Sequence, residues 1–257
     1  MDNVNKTLYI PLYGKALVSG RGILLEDPKA EVIWEEEGFG LKGKAKSKWL
    51  AYYMAMRARV FDDWVKEKMT EFPDAAVLHL GCGLDSRVLR TGVRENLWLD
   101  VDFPEVIEAR EAYYQETEQY RMVGCDLRED SWLKDIPSGK AIVIMEGISM
   151  YLKPQELADL HRQLKSHFAE VYLLMDCYSS LAAKASKWKN PINEVGVYQV
   201  YGMDDPNGAG VLTFLRELDM TPEDLIAELP KKDQRLFRKL YAGSFARKLY
   251  RLYEYEG

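Results

Sequence analysis

The chain has 257 residues, 47% hydrophobic and 30% charged, with a formal net charge of −6; this suits one α/β domain with a large core and argues against a general nucleic-acid binder. No apolar run approaches the roughly 18 residues of a membrane span, and the start, MDNVNKTLYIPLYGK, lacks the basic-then-apolar pattern of a secretory signal. Cys82, Cys125 and Cys177 are too few and too scattered for a disulfide framework or a zinc site, so a cytoplasmic protein with reduced thiols is expected.

Residues 1–70 read as a helical cap. Within SKWLAYYMAMRARVFDDWVKEKM, Leu50, Tyr53, Met54, Arg57, Phe61 and Trp64 fall along one broad face. Strands and helices then alternate. AAVLHLG is a strand ending at Gly81, and NLWLDVD is the next, ending at Asp102. Pro104 suits the first turn of a helix, and PEVIEAREAYYQETEQY has helical spacing throughout. RMVGCDL and AIVIMEG are the third and fourth strands. KPQELADLHRQLKSHF is a helix, and EVYLLMDCYS is the fifth strand. This rhythm, with short connections, predicts a doubly wound, mostly parallel α/β sheet covered by helices on both faces. Residues 71–180 are then the ligand-binding core. KWKNPINEVGVYQVYGMDDPNGAG is irregular and rich in Pro, Gly and aromatic residues, which marks residues 181–220 as a lid or substrate segment. Residues 221–257 complete the fold. From Lys231 to Arg251, eight Lys or Arg stand against one Asp. An amphipathic helix with a solvated basic face accounts for this pattern, and an acidic ligand or partner is the alternative. The end, RKLYRLYEYE, allows either strand or helix.

Ligands of such sheets bind beyond the carboxyl ends of the strands. Gly81–Asp85, Asp100–Asp102, Asp126, Glu146 and Asp176 all lie there. In VLHLGCGLDSRVLR, two glycines let a ligand approach the backbone closely before a helix begins. A dinucleotide fingerprint needs a third glycine, but Ser86 holds that place and Asp85 would repel a pyrophosphate. Asp102 follows Gly81 by 21 residues, a spacing at which an acid accepts hydrogen bonds from ribose hydroxyls. A nucleoside without a pyrophosphate is expected, and S-adenosylmethionine has that chemistry.

VLHLGCGLDSR, WLDVDFPEVIEAR, GCDLREDSW and EGISMYL stand in the order and spacing of the leucine carboxyl methyltransferase family, which the chain resembles over nearly its whole length. YIPLYGKALVS, LLEDPKAEVIW and VYGMDDP are similar to its bacterial branch, that of the tetracenomycin polyketide O-methyltransferase. The resemblance implies a class I methyltransferase with a Rossmann-like, seven-stranded sheet and an antiparallel final pair. It implies S-adenosylmethionine as cofactor, S-adenosylhomocysteine as product and a small-molecule acceptor, with no metal, nucleic acid or membrane involved. It gives Arg57 the cofactor's carboxylate; Arg59, the alternative, faces elsewhere on a helix. It sets Gly81 and Gly83 under the methionine portion, with Asp85 as the acid of that motif. Asp102 takes the ribose, with Asp100 as runner-up. Asp126 and Leu127 flank the adenine, and Glu146 lies near the methionine portion. Cys82 replaces a commoner alanine, and Ser86 a commoner threonine.

Each assignment has a structural rival. Arg57 could serve a surface ion pair, Asp102 a helix cap and Asp126 a turn. Glu146, buried without a partner, would be costly. Tyr151, Tyr178, Trp188 and Tyr201 are either acceptor contacts or packing residues. His79 lies inside a strand, and His161 and His167 within a helix, so none stands where a catalytic base would. A carboxylate acceptor, already ionised at neutral pH, is therefore expected ahead of a phenolic or enolic hydroxyl or a protein C-terminal carboxyl. Two rivals of other classes stay open. One is a nicotinamide oxidoreductase, against which Asp85 and Ser86 argue; the other is a non-enzymatic binding protein on the same fold.

Overall fold

The computed structural model describes residues 5–93 and 95–257. Three helices come first: α1 (Tyr9–Ser19), α2 (Pro28–Glu37) and α3 (Lys48–Glu71). Asp27 caps α2, accepting from the Ala30 N–H, with Pro28 in the first turn and Gly38 closing the helix at φ 57°. The alternating part follows as β1 (Ala76–Leu80), α4 (Arg87–Thr91), β2 (Trp98–Asp102), α5 (Pro104–Glu111), β3 (Tyr120–Gly124), β4 (Lys140–Met145), α6 (Pro154–His167) and β5 (Glu170–Tyr178). Then come α7 (Ser180–Lys189), β6 (Thr213–Leu218), α8 (Glu223–Glu228), α9 (Lys231–Tyr241), α10 (Ser244–Leu249) and β7 (Tyr250–Glu256).

The seven strands form one sheet in the order β3-β2-β1-β4-β5-β7-β6. β1 to β5 are parallel, and β7 runs antiparallel between β5 and β6. The expected doubly wound sheet with an antiparallel final pair is thus present.

Three boundaries differ from the sequence reading. The helix expected from Pro104 to Tyr120 ends at Glu111. Tyr114 lends its hydroxyl to the Leu84 carbonyl, and Thr117 accepts from the Tyr120 N–H to turn the chain into β3. The lid expected over 181–220 stops short, because Thr213–Leu218 is the edge strand β6, paired with β7. The ambiguous end is both structures in turn: α10, then β7.

Side-chain alternation sorts the sheet into two faces. Ala76, Leu78 and Leu80 of β1 pack with Val143 and Met145 of β4, Leu173 of β5 and Leu164 of α6. The opposite face, with Val77, Trp98, Ile142, Ile144 and Leu174, packs against the N-terminal helices. The polar residues His79, Asp100, Asp102, Glu146 and Asp176 share the parity of that second group. One rule of period two therefore sets these residues on the helix-covered face, where Glu146 and Asp176 meet Arg57 of α3.

Asp100 shows what this face demands in the interior. It is fully buried and paired across the register with His79. It accepts hydrogen bonds from His79 Nδ1 (3.1 Å), Trp98 Nε1 (2.9 Å) and Tyr120 (2.7 Å), and it pairs with Arg110. Burial would raise its pKa, but Arg110 and His79 bring it down to about 2. Asp100→Ala strands the Arg110 charge, and should cost about 3–5 kcal/mol of stability in urea denaturation. A loss below about 1 kcal/mol, the range of an exposed pair, would contradict the assignment.

Candidate active site

A cavity of about 500 Å³ opens at the carboxyl ends of β1, β2, β4 and β5, under residues of α1 and the turn before it. Its floor is the turn after β1. Gly81 and Gly83 take φ 67° and 53°, and a Cβ on Gly81 would collide with the Ile148 side chain. The Gly83 N–H donates to Asp102 Oδ2 at 2.8 Å, and the Phe103 N–H to Oδ1 at 2.8 Å. Both glycines and Asp102 line the cavity.

The two candidate ribose acids are separated by their place in β2. Asp100 is sealed behind Arg110, while Asp102 stands at the strand tip with no cationic partner among the described residues. Burial raises the Asp102 pKa to about 6, against the two backbone donors. Beyond these two donors, the Asp102 carboxylate lines the cavity. The helix-cap rival is not met: the N-cap of α5 is Phe103, no side chain caps the helix, and Asp102 binds only the Phe103 N–H that precedes it.

The other side of the cavity is a buried ion network. Lys15 of α1 pairs with Asp85 at 2.8 Å. Arg90 reaches Asp85 (2.8 Å), Asp27 (2.7 Å) and Asp62 (2.6 Å). Arg87 joins Asp62 (2.7 Å) to Glu146. Arg57 joins Glu146 (2.9 Å) to Asp176 (2.8 Å) and also meets the Tyr250 hydroxyl. Among the described residues, four cations thus meet five carboxylates in one connected set, all nearly out of water. Burial opposes ionisation of Asp85, but Arg90, Lys15 and Arg87 hold its carboxyl well below the usual range. Against burial, Arg57 and Arg87 likewise bring Glu146 down to about 2. Asp176 differs: burial raises its pKa, against Arg57, the Tyr250 hydroxyl and the Gly147 N–H.

His79 belongs to this floor, as a core residue. Its Nδ1 faces Asp100 and its Nε2 faces Arg87, both at 3.1 Å. Burial lowers its pKa. A neutral ring that donates from Nδ1 and accepts at Nε2 satisfies both partners.

The remaining expected residues divide. Leu127, Tyr151 and Tyr178 line the cavity, as does Asp126, which also binds Arg128 Nε at 2.8 Å and the Arg128 N–H in a turn. Trp188 and Tyr201 do not line it, which corrects their expected place. Trp188 is 83% exposed on α7. Tyr201 is fixed by its N–H to the Met150 carbonyl and by its hydroxyl to Gln199. Of the lid segment, Asn190, Pro191 and Ile192 reach the cavity. Arg59, the rival to Arg57, points outward to Asp63 (3.1 Å) and the Leu24 carbonyl (2.8 Å).

Sequence reasoning missed Lys15, Tyr53, Tyr241 and Tyr250, all lining the cavity. A lone lysine in the otherwise apolar α1 was a visible signal, since a buried ammonium needs a partner. The tyrosines come from distant elements and carried none.

A doubly wound sheet of this order, with a glycine turn and a ribose-height acid but no pyrophosphate cradle, defines a class I methyltransferase fold. Solved structures of the same fold include a candidate methyltransferase from Thermobifida fusca (TM-score 0.53, 13% identity, 83% of this chain and 88% of that one). A DUF574 family protein from Streptomyces avermitilis is similar (TM-score 0.53, 12% identity, 89% and 88%). The chain belongs to the leucine carboxyl methyltransferase family, whose model matches residues 5–165. It is 33% identical over 155 residues to the tetracenomycin polyketide synthesis O-methyltransferase TcmP of Streptomyces glaucescens, 60% of this chain but only 57% of that enzyme. It is 26% identical over 230 residues to the S-adenosyl-L-methionine-dependent methyltransferase dpfgK of Gibberella zeae, 80% of this chain and 77% of the relative.

The two arginines of α3 should behave differently. Arg57→Ala leaves Glu146 and Asp176 short of a partner in the interior, and is expected to cost about 3–5 kcal/mol. Arg59→Ala removes a surface pair and should cost about 1 kcal/mol or less. Equal losses in chemical denaturation would contradict the network.

Proposed function

We propose that this protein transfers a methyl group from S-adenosylmethionine to the carboxylate of a small, ring-bearing acid. Bound cofactor would supply an activated sulfonium methyl. In this reading Asp102 takes the ribose hydroxyls, Glu146 faces the cofactor's ammonium, and Arg57 and Lys15 face its carboxylate. The site fits a cationic ligand, because its ion network has one more carboxylate than cation. The name of the tetracenomycin relative supports oxygen as the acceptor atom.

One observation carries the choice of carboxylate: among the described residues, every carboxylate lining the cavity is ion-paired except Asp102, which this reading gives to the ribose. Tyr151, Tyr178 and Tyr250 line the cavity, and burial raises all three phenols, so they stay neutral; the Tyr250 proton is already given to Asp176. Asp85 and Glu146 are locked in ion pairs that make them poor proton acceptors. His79 is buried between Asp100 and Arg87. A phenol, with a pKa near 10, would find nothing here to take its proton, whereas a carboxylic acid arrives ionised. The protein's task is then to hold the acceptor oxygen in line with the methyl and sulfur and to exclude water.

Calorimetry tests the cofactor side. Asp102→Ala should weaken S-adenosylhomocysteine binding by about 10- to 150-fold, the worth of hydrogen bonds to a charged acceptor. Asp102 accepts only when ionised, and its pKa is about 6 in the free protein. Wild-type affinity should therefore rise from pH 5 to pH 7 and then level, and the mutant should lack this rise. An unchanged mutant affinity would contradict the ribose role.

The acceptor side is tested on the product. A methyl ester should form that mild alkali cleaves with release of methanol, and kcat with both substrates saturating should stay flat between about pH 6 and 8, since no mechanistic group need titrate there. An alkali-stable ether, or a rate climbing steeply across that window, would move the assignment to a hydroxyl acceptor.

A further inference from the structure

A second cavity, of about 250 Å³, lies beside the first. Three tyrosines, Tyr53, Tyr241 and Tyr250, line both. Its far walls come from Leu218 at the end of β6, Met220 and Thr221 in the following turn, and Arg247 of α10. We propose that the two cavities are halves of one acceptor site. The acceptor is an elongated aromatic acid: its carboxylate lies in the first chamber, its rings pass the tyrosines, and its far end lies in the second. This rests on the carboxyl reading above for which end enters first.

Space is the first argument. Pockets for drug-sized ligands run from about 300 to 1,000 Å³. S-adenosylmethionine, a nucleoside joined to an amino acid, is such a ligand by itself, so it leaves little of the 500 Å³ for an acceptor. An acceptor larger than a single ring must extend elsewhere, and the second chamber shares the Tyr53, Tyr241 and Tyr250 wall with the first.

The partition is unequally held. Tyr250 is pinned, its hydroxyl bonded to Arg57 and Asp176. Tyr53 is buried on α3, with its hydroxyl against Met220 Sδ at 4.0 Å. Tyr241 is half-buried, and its hydroxyl makes no hydrogen bond among the described residues. It is the last residue of α9 and stands two positions before Gly243. It packs at the edge of the core, stacks on Phe237 at 5.2 Å and meets the Tyr53 ring at 5.4 Å, with no hydrogen bond to fix its tip among the described residues. Tyr241 is therefore the part of the wall that can swing, and its stacking surface suits a flat ring passing beside it.

The second chamber differs in polarity from the first. Asp219 caps the turn through the Thr221 N–H at 3.0 Å and pairs with Arg247 at 2.7 Å. Glu217 adds a second carboxylate, held only loosely by Arg251 at 3.7 Å. Two acceptors against Arg247 favour a far end that donates hydrogen bonds, a hydroxyl or an amine.

The test uses the intact protein saturated with S-adenosylhomocysteine, titrated calorimetrically with benzoic acid or 4′-hydroxybiphenyl-4-carboxylic acid. Burial of the second ring predicts at least about tenfold tighter binding of the biphenyl acid. Met220→Trp and Leu218→Trp each fill the second chamber, and either should cut that ratio to about threefold or less while leaving S-adenosylhomocysteine and benzoic acid affinities in place. Leu218 is only partly buried, so its variant stands if the Met220 variant does not fold. No detectable binding of the biphenyl acid, or a ratio unchanged in the folded variants, overturns the proposal. Because binding is read without turnover, a tenfold ratio in the wild type that the variants abolish, with no methyl ester formed when S-adenosylmethionine replaces S-adenosylhomocysteine, would count against the carboxyl reading alone.

Discussion

The wholly buried guanidinium of Arg87, held between Asp62 of α3 and Glu146 at the end of β4, is the contact on which the site depends. It begins a short helix directly after the glycine turn, so it fixes that turn against both the sheet and the N-terminal helices. Arg57 and Arg90 extend the same lattice to Asp176 and Asp27. Burying so many charges is not an economical way to stabilise a fold, since desolvation consumes most of what the pairing returns. What the lattice supplies is orientation. It sets the carboxylates of three strand ends at fixed places around one cavity and leaves the sum one charge negative.

That excess divides the cavity into two chemistries. On the lattice side the charges are paired, with Asp85 and Glu146 held below the usual carboxylate range and Asp176 raised by burial; in the proposed reading they are fixed poles for a zwitterionic amino-acid moiety. On the other side, Asp102 stands without a cationic partner among the described residues, and in the proposed reading it meets a nucleoside by hydrogen bonding alone. Its pKa is raised by burial, against the Gly83 and Phe103 N–H donors. Beyond both lies a wall of neutral phenols. A ligand that is cationic overall, with a ribose at one end and an amino acid at the other, satisfies every part of this arrangement.

Much of this could be read from the sequence, for physical reasons. The strand ends were visible because each carries a short apolar run broken by glycine or an acid, and period-two alternation assigns all their polar residues to one face. The sequence preference for Asp102 over Asp100 rests on its spacing after Gly81 and on the family resemblance, and the structure adds that only Asp102 of the two lines the cavity. Partners of the charges were not legible. Asp62, Asp27 and Lys15 lie far from the glycine turn in sequence, and only the packing of α1 and α3 brings them to Arg87 and Arg90. Trp188 misled because an aromatic residue in an irregular stretch reads as a contact, whereas helix α7 turns it outward. Tyr241 and Tyr250 were silent for the opposite reason: they sit in segments whose alternation is explained fully by packing.

The division into a charged half and a nucleoside half can be measured with two ligands that differ only in the amino-acid moiety. S-adenosylhomocysteine and 5′-methylthioadenosine share the nucleoside, and only the first carries the ammonium and carboxylate that the ion lattice would hold. Calorimetric titration of the wild-type protein at pH 7.5 should show S-adenosylhomocysteine binding at least about 100-fold more tightly, the worth of two charge-assisted hydrogen bonds. Equal affinity for the two ligands would mean that the buried lattice serves the fold alone, and would contradict the account.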